Sequence, residues 1–118
     1  MIKTKSIFES LEANDGRRIL ITYAWPKNYD RKNINSWLKE LGHPWELVEN
    51  WPKTRMTWED FETYYLKMLE KPRLQMILKE LKQESLEKDI TLLGLSRLEN
   101  KCHRKILKEY LENLKIES

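Results

Sequence analysis

The stretch from Arg18 to Trp25, RILITYAW, is almost unbroken in aliphatic, β-branched and aromatic residues. A strand that is apolar on both faces must be covered on both, which places it in the middle of a sheet. Pro26 ends it, because proline has no N–H for the ladder. A second apolar run, Asp89 to Ser96, DITLLGLS, follows after several helical patterns. Strand, helices, strand is the order of a helical crossover, which predicts a right-handed connection and parallel pairing of these two strands. A third run, Lys3 to Phe8, comes first. The linker ESLEANDG is shorter than a parallel crossover normally needs, so the direction of the first strand stays open.

Helical spacing fills the rest. Ile34, Trp37, Leu38 and Leu41 fall at i, i+3, i+4 and i+7, with Gly42 as a stop and Pro44 beyond it, and predict a helix. Thr57 and Asp60 form a variant of the capping box ahead of TWEDFETYYLKML. Pro72 suits the first turn of another helix, whose Leu74, Ile77, Leu78 and Leu81 share a face. In the last helix Asn100 is the expected cap, with Lys101, Cys102 and His103 in the first turn. Ile106, Leu107, Tyr110, Leu111 and Leu114 form its apolar stripe. The expected architecture is one α/β domain over residues 1–118. Its sheet has about three strands, at least partly parallel, flanked by four to five helices.

The charge balance, 22 basic against 19 acidic residues for a net +3, is mixed in sign and short of a basic nucleic-acid footprint. A single cysteine excludes an intramolecular disulfide, and with His43 and His103 as the only histidines a metal centre is not expected. No glycine-rich phosphate loop, HExxH or serine elbow occurs, and no cofactor is expected. No apolar run reaches the roughly 18 residues of a membrane span, and the start MIKTKSIFES lacks a signal-peptide core. The expectation is a cytoplasmic protein without membrane association, monomeric or homodimeric. Its partner is a small anionic ligand, with nucleic acid as a less favoured one.

If the two central strands are parallel, their C-terminal ends share one edge, where open α/β sheets bind ligands. Tyr23 to Lys27 and Ser96 to Arg104 then face that edge. A helix N-terminus there offers directed N–H donors and a positive dipole end. The leading reading is a site for a small anionic or phosphorylated ligand formed by Trp25, Lys27, Ser96, Arg97, Cys102 and Arg104. The alternatives are a cysteine-dependent enzyme with Cys102 as nucleophile and His103 or Arg104 as its activator, and a nucleic-acid-binding module. Each residue also has a bland role. Cys102 is a small hydrophobe at ease in a core, and His103 sits mid-stripe and can face inward with one nitrogen on a backbone group. Arg104 can lay its stem over the core. Of the five tryptophans, Trp37 suits a core by its spacing, while Trp45 and Trp51 are equally suited to stacking a base or sugar.

The motifs DGRRILITYAWPKN, WEDFETYYLKML and TLLGLSRLENKCHRKILKEYL resemble the family called domain of unknown function 488, especially its short YeaO-like branch. Asp15, Gly16, Arg18, Leu20, Trp25 and Pro26 align with its DG-x-R-x-L-V-D-R-x-W-P-R-G pattern. Phe61, Tyr65 and Leu69 align with F-x-x-x-Y-x-x-x-L, and Thr91 to Leu93 with the T-L-L strand. Cys102, His103 and Arg104 match a helix opening C-H-R. The resemblance implies an α/β fold with a polar site at the strand ends and brings no substrate. Thr22 and Tyr23 stand where the pattern has aspartate and arginine; Gly94 and Ser96 stand where it often has cysteine and glutamate.

Overall fold

The computed structural model describes residues 1–42, 57–95 and 102–115. Four strands, β1 (Ile2–Ser6), β2 (Arg17–Leu20), β3 (Ser36–Trp37) and β4 (Ile90–Gly94), form one sheet in the order β1-β4-β2-β3. Every pairing is parallel: Ile2 lies opposite Ile90, Arg17 opposite Ile90, and Leu20 opposite Leu93 on one side and Trp37 on the other. The described residues hold three α-helices, α1 (Trp58–Leu69), α2 (Pro72–Glu87) and α3 (His103–Asn113). The α/β class and the parallel pairing of the two apolar runs therefore hold. The sheet has one strand more than expected, and three α-helices stand among the described residues where four to five were expected. The open direction of the first strand is settled as parallel to β4.

One face of the sheet carries the main core. Ile19 and Ile21 from the β2 segment and Ile90 and Leu92 from β4 pack with Phe61, Tyr65 and Leu69 of α1, Leu74, Leu78 and Leu81 of α2, and Leu107 and Leu111 of α3. The helix starts expected at Thr57 and Pro72 are present. Thr57 Oγ1 accepts from Asp60 N at 3.1 Å while Asp60 returns the bond to Thr57 N, and Pro72 opens α2. The other face has no α-helix among the described residues. Loops cover it: Leu20, Leu93 and Ile7 meet Trp25, Tyr29 and Ile34. Deeper on that face Arg18 bonds the Asp15 carboxylate and the Asn33 carbonyl, Lys5 Nζ stands 2.8 Å from Asp15 Oδ1, and Thr91 Oγ1 donates to the Asp15 carbonyl at 2.7 Å. Gly16 makes this clasp possible. Its φ of 66° lies in the left-handed region, and a Cβ there would stand 2.0 Å from the Asp89 carbonyl oxygen.

The helix expected from Ile34, Trp37, Leu38 and Leu41 does not form. The chain instead makes 3-10 turns at Arg31–Asn33 and Lys39–Leu41 with β3 between them. Bonds to β2 win the competition: Asn35 N donates to the Arg18 carbonyl at 2.9 Å, Leu38 N to Leu20 at 2.8 Å, and Arg18 N to Asn35 Oδ1 at 2.7 Å. Asparagine and serine side chains that bond backbone groups favour such extended and turn structure over helix. Trp37, assigned to a helix face by its spacing, is a strand residue 38% exposed, whose indole N–H donates to the Thr22 carbonyl at 2.8 Å. The strand expected from Arg18 to Trp25 is regular only from Arg17 to Leu20. Ile21 N still bonds the Leu93 carbonyl at 3.1 Å, and the chain turns away at Tyr23, which is exposed.

Candidate functional site

At the strand ends, three residues adjacent in sequence come together at the start of the last helix. Cys102 is not in the first turn of the last helix, as expected from an Asn100 cap. It is itself the cap residue, in extended conformation (φ −134°, ψ 142°), and α3 begins at His103. Its sulfur makes no bond to the helix backbone. Instead Cys102 Sγ faces two side chains of its own helix start, His103 Nδ1 at 3.7 Å and Arg104 Nη1 at 3.4 Å. Asn100 and Lys101 lie outside the described residues.

His103 points inward, as its place in the apolar stripe predicts, and it is buried. Its Nε2 bonds the backbone carbonyl of Ile21, just past β2. A carbonyl only accepts, so Nε2 must carry the proton of the neutral ring, and the lone pair is left on Nδ1, on the side of the Cys102 sulfur. A backbone group thereby selects the tautomer in which the imidazole can accept the thiol proton. Tyr65 of α1 completes the enclosure. It is fully buried, its ring meets that of His103 edge to face at 5.5 Å, and its hydroxyl donates to the Leu41 carbonyl at 2.5 Å. Burial holds the Tyr65 phenol well above its ordinary range, and negative charge on Cys102 acts in the same direction. Tyr65 therefore stays neutral and positions the imidazole.

Arg104 is 2% exposed, so the start of α3 buries a guanidinium rather than displaying one. Burying a charge is costly unless the surroundings engage it. The sulfur it contacts is a soft acceptor whose ionised form a guanidinium favours. Gly94, the last residue of β4, lies directly beneath the two groups.

Of the other residues assigned to a ligand set, the two that are described fall elsewhere. Trp25 is half-buried on the opposite face of the sheet, with Arg31 5.3 Å above its ring and Trp37 edge-on at 5.5 Å. Lys27 is exposed in the loop beyond it. Ser96 and Arg97 lie outside the described residues, as do Trp45 and Trp51. The structure thus joins Cys102, His103 and Arg104, and adds Tyr65, which sequence reasoning did not assign to the site. Its position in the F-x-x-x-Y-x-x-x-L motif was the available signal. Among the described residues no group of three or more His, Cys, Asp or Glu side chains is arranged to hold a metal ion, and no helix is long and apolar enough to cross a membrane. A groove of about 430 Å3 runs between α1 and α3, lined by Glu62, Leu66, Ile106, Tyr110 and Leu114, and includes none of the thiol-site residues.

A model of the active DUF488-N3 subclade, DUF488-N3a, matches residues 2–115. Neither the curated proteins nor the solved structures contain a match to the chain.

Proposed function

The chain belongs to the DUF488 family, within the subclade described as active DUF488-N3, and from that premise we propose that its strand-end thiol is a nucleophile acting on a small anionic or phosphorylated ligand. Cys102 supplies the nucleophile, His103 Nδ1 accepts its proton, and Arg104 supports the developing charge on sulfur and the anionic group of the ligand. One observation carries the reading: Cys102 Sγ stands between the acceptor nitrogen of a histidine with a backbone-fixed tautomer and a buried guanidinium. The position supports it as well, because the group sits at the C-terminal edge of the central strands, where α/β sheets bind ligands.

A second reading, anion binding without chemistry, is favoured by the burial of Arg104 in the first turn of α3, at the positive end of the helix. Thermal-shift titrations with inorganic phosphate and tungstate test the anion site that both readings share, and alkylation of Cys102 in the native protein separates the two. A ligand that binds only the native state raises the melting temperature in proportion to RT ln(1 + [L]/Kd). Both readings predict a rise that Arg104→Met removes. Cys102→Ala keeps the rise under either reading, but only nucleophilic chemistry requires the thiol to react with electrophiles in the native protein. Absence of any shift with either anion removes the anionic ligand from the account.

A further inference from the structure

Gly94 is a glycine that its own backbone does not require. Gly16 is the glycine in the left-handed region, whereas Gly94 closes β4 as an ordinary strand residue paired with Ser6. Glycine inside a strand forfeits packing and costs unfolded-state entropy, so a strand keeps one where something else needs the room. The side-chain alternation of β4 turns position 94 to the same face as Ile90 and Leu92, toward the helices. A Cβ built there stands 3.0 Å from Arg104 Nη1, 3.0 Å from Cys102 Sγ and 3.4 Å from Arg104 Cδ. These are all at or inside the roughly 3.5–4.0 Å of comfortable contact. The strand cannot retreat, because Ile7 N bonds the Gly94 carbonyl at 3.0 Å and Ile21 N bonds the neighbouring Leu93 carbonyl at 3.1 Å. Any side chain at position 94 must therefore be accommodated by movement of the guanidinium and the thiol.

We infer that Gly94 is a positioning residue of the thiol site: its missing side chain leaves the room in which the Arg104 guanidinium reaches the Cys102 sulfur. The inference rests on the proposed thiol reading for its consequence, and on the packing around β4 for its geometry. Gly94 touches no substrate; it acts through Arg104.

The test compares iodoacetamide alkylation of Cys102 as a function of pH in the wild type, Gly94→Ala, Arg104→Met and the double variant. Melting temperatures confirm that each is folded. The expected result is a rate at neutral pH lower by about three- to tenfold in Gly94→Ala, the span from weakening to losing a charge-assisted hydrogen bond, with the double variant no slower than Arg104→Met alone. An unchanged rate in Gly94→Ala, or losses that add independently, overturns the inference and leaves the thiol reading standing. If the wild-type thiol proves inert, the thiol reading fails, and a crystal structure of Gly94→Ala decides the positioning role by itself. A lengthened separation between Nη1 and Sγ supports it, and an unchanged 3.4 Å overturns it.

Discussion

Two arginines are buried on opposite faces of the same sheet, Arg18 at 3% exposure and Arg104 at 2%. Arg18 meets a carboxylate three residues before it and a backbone carbonyl, with Lys5 as a second cation on the same carboxylate. Arg104 lies with Nη1 against a thiol beside a histidine nitrogen. The charges of the first group close among themselves and fasten the loop at Gly16 to the sheet. The charge of the second is set against the one side chain of the chain that can become a strong nucleophile. Burial alone thus does not mark a site; what the buried charge is aimed at does.

The largest effect should come from breaking the Arg18 side. Asp15→Ala leaves Arg18 without its carboxylate and Lys5 with Glu12 alone, and should cost about 3–5 kcal/mol in urea unfolding, as loss of one partner of a buried pair does. Alkylation of Cys102 in the fraction that stays folded should be unaffected, and a parallel loss would erase the distinction between the two arginines. The same pair sets an acid dependence. Burial pushes the Asp15 carboxyl up, but hydrogen bonds from Lys5, the Glu12 N–H and Arg18, with the charge of Lys5, outweigh it and hold it below its ordinary value. Its folded-state affinity for protons is lower than in the unfolded chain, so its contribution is present above about pH 4 and fades as pH falls through the folded value. Asp15→Asn should flatten that acid limb, measured as unfolding free energy against pH.

Next in size is the Arg104 side. Arg104→Met keeps the apolar stem and removes the charge; it should slow Cys102 alkylation at neutral pH by about tenfold, the equivalent of one charge-assisted hydrogen bond. Its effect on unfolding free energy should be smaller than that of Asp15→Ala. The reverse ranking would make Arg104 a structural residue like Arg18.

Tyr65→Phe should have the smallest effect, about 1 kcal/mol from the lost bond to the Leu41 carbonyl. It carries its own pH mark. The folded phenol binds its proton more tightly than the unfolded one, so stability is complete below about pH 10 and falls as pH rises beyond it. Tyr65→Phe should remove that part of the alkaline loss.

The features legible in the sequence are those decided within a few residues. The capping box of Thr57 and Asp60, Pro72 at a helix start and the apolar run of β4 all appear where expected, because their signals are local. The segment from Ile34 to Leu41 was misleading, since its apolar spacing fits a helix while its partners lie in β2, far away in sequence. The start of the last helix was displaced by two residues, and the displacement matters: it takes the thiol off the backbone donors and puts it against His103 and Arg104. The inward turn of His103 was readable from the stripe. Its tautomer was not, because the Ile21 carbonyl that fixes it is supplied by the sheet. Tyr65 was hidden for the same reason, as a core aromatic whose second role comes only from what packs against it.

The central claim is that Cys102 is activated by its neighbours, and the most direct measurement is its alkylation rate against pH in the native protein and in His103→Gln. That variant keeps a donor for the Ile21 carbonyl and removes the acceptor at Nδ1. The account predicts a native thiol that reacts readily at neutral pH and loses most of that reactivity in His103→Gln, with the fold retained. A thiol that is inert in the native protein, or that reacts only above about pH 8.5 like a free cysteine and equally in both proteins, contradicts it.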